Sequence, residues 1–452
     1  MAEATTRKPP RADERNHVGF AVPTRLFSIA NMDRTGSRHR YIVVALLILL
    51  FAITYLDRVC ISVAGPRMQE DLHIGPAAWG WVSAIFTLAY CLFEIPSGAL
   101  GDRAGGRKVL TRIVLWWSAF TALTGMVAGY PALLLVRFLF GAGEAGAFPN
   151  AGVVVSRWFP RSQRSTVFGT FLLASQAGGA LAPLLVVPIQ IRYGWRASFF
   201  AFGVLGVLWA CVWYAWFRDS PSEKWKSQKA DLNETAIEVP TKPASHEKFP
   251  LRVALRSPSI RALLITAFCY VYVYNFFQTW FHTFLVRGRG FTEAGLFLSF
   301  LPYVIAGLAN LCGGLVSDRL VRRIGLKNGR RIPGIAALVA AAAFAVAAVL
   351  THRQIAGLIL LTLMYGAITF QQSVVFGVCL DIGRQHSGAV VGLMNTSAQF
   401  GGLVGALAFG YIVERFHSYD APFVPMVGLL LIGAVSWIRV DASEELAVGL
   451  RG

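Results

Sequence analysis

Apolar runs long enough to cross a bilayer recur twelve times along the chain, separated by short polar links. They fall at about 41–63, 79–99, 109–129, 131–155, 165–188, 197–217, 259–284, 293–315, 333–351, 354–379, 388–411 and 421–440. A spanning helix needs roughly 20 mostly apolar residues, so each run predicts one. Several contain Gly or Pro, which such helices tolerate when neighbours re-satisfy the backbone. Three polar stretches frame the runs: residues 1–40, 218–258 and 441–452. The middle one divides the chain into two sets of six, 41–217 and 259–440. The pattern predicts an all-α membrane protein of twelve transmembrane helices in two six-helix bundles. Residues 1–40 predict a disordered tail, and Met32 offers a second start close to the first run. A signal peptide is not expected, because the first run is too long for a signal's apolar core and no small-residue cleavage site follows.

Composition agrees: 55% of the 452 residues are hydrophobic and only 15% charged, which a soluble protein of this size would not show. The net charge of +18 is concentrated in short links rather than in a basic patch, which argues against nucleic acid as a partner. Arg103, Arg107, Lys108 and Arg112 follow the second run; Arg157, Arg161 and Arg164 follow the fourth; Arg319, Arg322, Arg323, Lys327, Arg330 and Arg331 follow the eighth. The links after odd-numbered runs are poorer in Lys and Arg. By the positive-inside rule both termini and the central loop are cytoplasmic, in a multi-pass inner-membrane protein. The six cysteines lie in or at the ends of apolar runs without ligand spacing, and read as small apolar residues rather than a metal site.

The halves echo each other. Gly98–Lys108 reads GALGDRAGGRK after the second run, and Gly314–Arg323 reads GLVSDRLVRR after the eighth. Gly98, Asp102, Arg103 and Arg107, with Gly314, Asp318 and Arg319, are thus expected to gate and stabilise rather than to touch a solute. Repeated halves are a signature of secondary transporters, whose solute site lies near the midplane between the repeats.

Two runs carry charge where lipid should be: Asp57 and Arg58 in the first, Arg137 and Glu144 in the fourth. A charge at the bilayer centre costs about 2.5–3.5 kcal/mol on insertion scales, so these groups must face protein or water. Arg137 and Glu144 are seven residues apart, close to two helical turns, and project from one face. The bland reading is a buried ion-pair cluster. The sharper one follows from its neutrality: protonating Asp57 and Glu144 would leave two arginines able to hold a carboxylate through paired hydrogen bonds. That constellation points to a small anionic solute, with protons as coupling ion and no cofactor. The second half supplies polar stripes instead: Tyr270, Tyr274 and Gln278 at four-residue steps, Gln371, Gln372 and Ser373, and Asn395 with Gln399. Of these, Tyr274, Gln278, Gln372 and Asn395 are expected to read the rest of the solute. His282, His352 and His386 sit near predicted helix ends and are expected to be solvated.

The chain resembles the major facilitator superfamily through Gly98–Lys108. More narrowly it resembles the anion:cation symporter family, which includes bacterial galactonate, glucarate and hexuronate permeases and vesicular glutamate transporters. YLDR at Tyr55–Arg58, RFLFGAGEAGAFP at Arg137–Pro149, RWFPRSQRS at Arg157–Ser165 and GLMNTSAQFGG at Gly392–Gly402 carry that likeness. It implies pseudo-symmetric six-helix halves, Asp57 and Glu144 as the proton-coupling pair, and Arg58 and Arg137 on the substrate acid. It also implies that Tyr90 and Gln176 face substrate; unaided, the residues allow Tyr90 to be packing and Gln176 an interhelical amide. Glu94 reads as a partner for a loop arginine. Gln399 and Phe400 depart from the family's pattern, as does the stretch around Gln372.

The expectation is a proton-coupled symporter, monomeric in the bilayer, importing a sugar acid such as an aldonate, aldarate or hexuronate. The alternative is an importer of an aromatic acid such as phthalate, with Phe276, Phe277 and Trp280 as stacking faces. A drug/proton antiporter is disfavoured because ASQAGGALAP in the fifth run lacks that class's glycine–proline spacing. An enzyme or receptor is disfavoured because no phosphate loop, HExxH motif or ligand-binding ectodomain is present.

Overall fold

The computed structural model describes residues 37–159, 161–219, 251–351, 353–383 and 387–444. Most of both expected terminal tails, most of the central loop, His352 and His386 lie outside these residues. Contacts group the chain into residues 1–42 and 43–452, and apart from the first residues of α1 all that follows concerns the second unit.

Among the described residues regular structure is entirely helical. The first half holds α1 (Ser37–Asp71), α2 (Pro76–Ala104), α3 (Gly106–Thr124), α4 (Tyr130–Glu144), α5 (Ala147–Trp158), α6 (Arg161–Tyr193) and α7 (Trp195–Trp216). After a short α8 (Leu251–Arg256), the second half holds α9 (Pro258–Gly288), α10 (Ala294–Ile324), α11 (Leu326–Leu350), α12 (Gln354–Gly383), α13 (Ser387–Phe416) and α14 (Phe423–Trp437). With α4 and α5 forming one span, these give the twelve expected crossings. Ten are long and apolar enough by composition alone, while α3 opens with Arg107, Lys108 and Arg112 and α14 is shorter.

Boundaries run past the hydropathy pattern at several helices, by eight residues at Asp71 and nine at Ile324, and three differences have a local cause. Helix α1 starts at Ser37, four residues early, because a helix continues past the apolar zone once its backbone bonds are closed. The end of the polar loop folds as α8, whose LRVALR pattern is amphipathic. The fourth run breaks after Glu144, so α4 ends on the charged residue itself.

Helix contacts repeat across the halves. The pairs α2–α4, α3–α4 and α3–α7 match α10–α12, α11–α12 and α11–α14. The halves meet through an equally symmetric pair of crossings, α2 with α13 and α6 with α10. Small residues permit the closest approaches. A Cβ at Gly178 of α6 would stand 2.0 Å from the Ala52 carbonyl oxygen of α1, and its counterpart Gly401 of α13 would meet Phe268 of α9 at 2.2 Å.

Helix α9 is not uniform. It carries two π-helical turns, Phe276–Trp280 and Phe284–Gly288. These coincide with FFQTWFHTFL, where the Phe276 ring contacts those of Phe281, Phe284, Phe409 and Phe423. Widened turns of this kind are frequent at functional sites.

Candidate functional site

The four predicted charges converge. Arg58 of α1 donates from Nε to Glu144 Oε1 at the end of α4, so Glu144 pairs across helices and not with Arg137, seven residues away on its own helix. The break after Glu144 is fixed by neighbours. Asn150 Nδ2 donates to the Gly146 carbonyl at 2.7 Å and to the Ser97 carbonyl of α2 at 3.1 Å. A Cβ on Gly146 would stand 1.9 Å from Ser97 Oγ, so only glycine lets α2 approach at this point.

Aromatic rings hold the arginines. The Arg58 guanidinium carbon lies 4.8 Å from the Tyr90 ring, 5.3 Å from Phe86 and 5.4 Å from Tyr55. Arg137 lies 4.8 Å from both Phe86 and Phe140, so Phe86 stands between the two cations. Such contacts are worth about 0.5–2 kcal/mol each, rising with desolvation.

The set is under-satisfied. Arg137 is only 4% exposed yet forms no ion pair among the described residues, and its Nε has no hydrogen-bond partner. Both oxygens of buried Asp57 and Oε2 of Glu144 likewise find no donor in hydrogen-bond geometry. Buried polar groups are normally satisfied, and an unpaired buried cation is the costliest exception. Glu94, expected to meet a loop arginine, faces Arg58 at longer range and closes no ion pair among the described residues.

The second half meets this cluster with a tyrosine wall. Tyr274 and Tyr365 have ring centroids 5.5 Å apart, and Phe277 stacks on Tyr365 at 4.2 Å. Gln278 Nε2 donates to Tyr365 Oη at 2.9 Å, and Tyr303 Oη donates to the Phe277 carbonyl at 2.8 Å. Tyr55 and Arg58 lie within electrostatic range of Tyr274, which joins the wall to the charges. Gln176 sits at the α6–α10 crossing, where a Cβ on Gly307 would lie 3.4 Å from it, and its Oε1 has no donor. Sequence reasoning points to Tyr90, Tyr274 and Gln278, which lie at the cluster or its tyrosine wall, and to Gln176, which lies at the α6–α10 crossing. It misses Tyr365, Tyr303 and Phe86, whose only signal is position in an apolar run.

Other residues lie elsewhere. Gln372 is half-buried and Asn395 exposed, and no contact among the described residues ties either to the cluster. Ser373 bonds Asn310 within the second half, and Gln371 is fully buried without a partner. His282, expected to be solvated, is instead fully buried. Its Nδ1 lies 2.9 Å from Ser62 Oγ and its Nε2 3.0 Å from Ser299 Oγ, because α9 reaches farther between the halves than its apolar run implies.

The repeated turns differ in detail. Arg107 stacks 4.4 Å over the Tyr214 ring and donates to its carbonyl at 2.9 Å from Nε; Asp318 pairs with Arg330 at 2.8 Å. Arg319 is exposed, and a Cβ at Gly314 would meet nothing within 4 Å, so no close packing requires that glycine. The side chains of Gly98, Asp102 and Arg103 lie outside the described residues.

Hydrogen bonds between the halves close one side of the cluster. Arg67 of α1 binds Glu293, the residue before α10, through Nε and Nη2 and the Gln190 carbonyl of α6 through Nη1. Gln69 donates to Thr283 at 3.0 Å, the Ala77 amide to Glu414 at 3.0 Å, and Ser83 Oγ lies 2.7 Å from Thr279 Oγ1. All lie from the level of the cluster outward to the face opposite the described chain ends. Among the described residues no group of three His, Cys, Asp or Glu side chains could hold a metal ion.

The model of the Major Facilitator Superfamily matches residues 47–406. The chain belongs to that superfamily. Within it, the transporter groups with the anion:cation symporters. It is 30% identical over 424 residues to the probable sulfoacetate transporter of Cupriavidus necator, covering 91% of this chain and 97% of the relative. It is 28% identical over 408 residues to the hexuronate transporter of Bacillus subtilis, covering 89% and 95%. A bacterial homologue of the human lysosomal transporter Spinster, solved inward-facing and occupied, superposes with a TM-score of 0.72 at 19% identity, over 89% of this chain and 96% of that one. This likeness carries the fold alone. The transporter is a multi-pass, non-enzymatic membrane protein of two six-helix bundles, and its relatives move small anionic solutes.

Proposed function

We propose that this transporter imports an organic anion together with protons, by rocking of the two halves about the Arg58–Glu144 cluster. One observation carries the reading: Arg137 is a buried guanidinium with no carboxylate on it, beside a second arginine held by a single glutamate. An anionic solute is the partner that such a cation lacks. Protonation of Glu144 and Asp57 releases Arg58, both arginines then hold the solute carboxylate, and the halves close around it. Proton loss on the other side restores the Arg58–Glu144 pair and expels the anion. Arg107, Asp318 and Arg319 act at helix ends as gating and stabilising groups. Termini on the cytoplasmic side of an inner membrane fit the placement of basic links, and the proposed transporting unit is a monomer.

A sugar acid is the favoured solute, supported by relatives described as hexuronate and galactarate/D-glucarate transporters. A second reading, an aromatic acid, draws on the tyrosine wall: Gln278 spends an amide donor on Tyr365, and Tyr274, Tyr365 and Phe277 present rings opposite Arg58. Thermal unfolding of the purified protein against aldonates, aldarates, hexuronates, sulfoacetate and phthalate, from acidic to neutral pH, tests both. The expected result is one solute class whose affinity rises about tenfold per pH unit of acidification for each coupled proton. Arg137→Lys should weaken it by about tenfold or more, since lysine cannot make paired bonds to a carboxylate. Affinity that ignores both pH and Arg137→Lys would refute the proposal.

A further inference from the structure

A groove of about 460 Å³ runs between α3 and α7 on the outside of the bundle, lined by Lys108, Thr111, Arg112, Leu115, Trp116 and Tyr214. Its chemistry is graded along the membrane normal. Lys108 and Arg112 stand on the first two turns of α3, and Leu115 and Trp116 on the next, so charge gives way to apolar surface over about 12 Å at 1.5 Å per residue. The walls are fixed. Trp116 Nε1 donates to the Leu139 carbonyl at 2.8 Å, and Arg107 clamps Tyr214 from above. The charge is not neutralised locally. Asp219, the acid at this end of α3, accepts from the Arg107 amide at 3.0 Å and faces Arg157 at 3.7 Å. Among the described residues Lys108 and Arg112 have no ion pair.

We infer that this groove binds an anionic phospholipid, its phosphate between Lys108 and Arg112 and an acyl chain along Leu115, Trp116 and Tyr214. A free phosphate would use the two cations but leave the apolar floor without purpose. Leu115, Trp116 and Tyr214 are 41%, 44% and 50% exposed, so the floor is open to the acyl region. Basic pockets at the end of a membrane bundle recognise such headgroups, each basic residue near the surface contributing about 1 kcal/mol.

The test uses the full transporter in nanodiscs of phosphatidylcholine with a minor share of phosphatidylglycerol, followed by native mass spectrometry of retained lipid. Lys108→Gln with Arg112→Gln should lower phosphatidylglycerol retention about 25-fold, the equivalent of two such charges. Arg322→Gln with Arg323→Gln removes the same charge elsewhere and should leave retention unchanged. Equal loss in both variants would reduce the effect to bulk surface charge and overturn the site. Thr111→Trp fills the groove with every charge kept, so it decides the matter even if the double variant does not fold; undiminished retention there overturns the proposal. Displacement of the lipid by inorganic phosphate would overturn it as well.

Discussion

Glu144→Gln isolates the coupling step. Gln keeps the shape of Glu and can still accept the Arg58 Nε–H, so the change removes charge and little else. Two unit charges at about 4 Å interact by about 4 kcal/mol at an effective dielectric of 20. That is the most that neutralising Glu144 can free in Arg58, and part is offset by the rings of Tyr90, Phe86 and Tyr55, which hold the guanidinium in either state. In the native transporter an arriving anion at neutral pH must first see Glu144 protonated. Each pH unit above the titration point then weakens binding about tenfold, or about 1.4 kcal/mol. The variant does not carry this cost. Its neutral-pH affinity should therefore approach the acidic-pH affinity of the native protein, and the slope of log Kd against pH should fall by about one. Proteoliposomes supply the second readout: accumulation driven by a pH gradient is lost, while exchange of internal for external solute continues. A variant that still concentrates solute on a pH gradient, or keeps the native pH slope, refutes the role assigned to Glu144.

Three further outcomes follow from the geometry. Gly313→Ala should cost about 1–3 kcal/mol in thermal stability, because its Cβ would lie 2.2 Å from the Phe370 carbonyl, whereas Gly314→Ala, with nothing within 4 Å, should be neutral or better; equal losses would contradict the packing. Glu293→Gln removes the carboxylate on Arg67 and should speed alkylation of Ser83→Cys, in a background without other cysteines, by about two- to fivefold; an unchanged rate would mean that this pair does not hold the face shut. Burial raises the Asp441 pKa, but hydrogen bonds from Lys327 and Ser443 outweigh it and hold the carboxyl below its usual range, so it stabilises the fold above about pH 4 and ceases to as pH falls. The stability gap between the native protein and Asp441→Asn, followed by acid unfolding in detergent, should thus close on acidification, and a constant gap would be wrong for this pair.

The pattern of runs predicts every crossing because bilayer thickness fixes their length, and α4 is conspicuous because its charges violate the rule. What escaped the pattern is non-local. The choice of Arg58 over Arg137 by Glu144 depends on where α1 meets the break after α4. That break depends on Ser97 and Asn150, which are distant in sequence. His282 reads as a helix-end histidine until α1 and α10 place Ser62 and Ser299 on its two nitrogens. Tyr365 and Tyr303 sit in apolar runs and acquire a role only when α10 and α12 set their rings edge to face and Phe277 of α9 stacks on Tyr365. Four-residue spacing served up to Tyr274 and loses validity beyond it, where α9 leaves α-helical geometry.

The two π turns make α9 a geared shaft. Each residue of an α-helix turns the chain by about 100°, so returning one widened turn to regular pitch would swing everything beyond it by about that angle. Gln278 lies in the first such turn, against Tyr365, while His282 and Thr283 lie between the two and engage α1. A solute that repositions Gln278 thereby has a mechanical line to the contacts that seal the far side. In this protein, wall and bolt are cut from one rod.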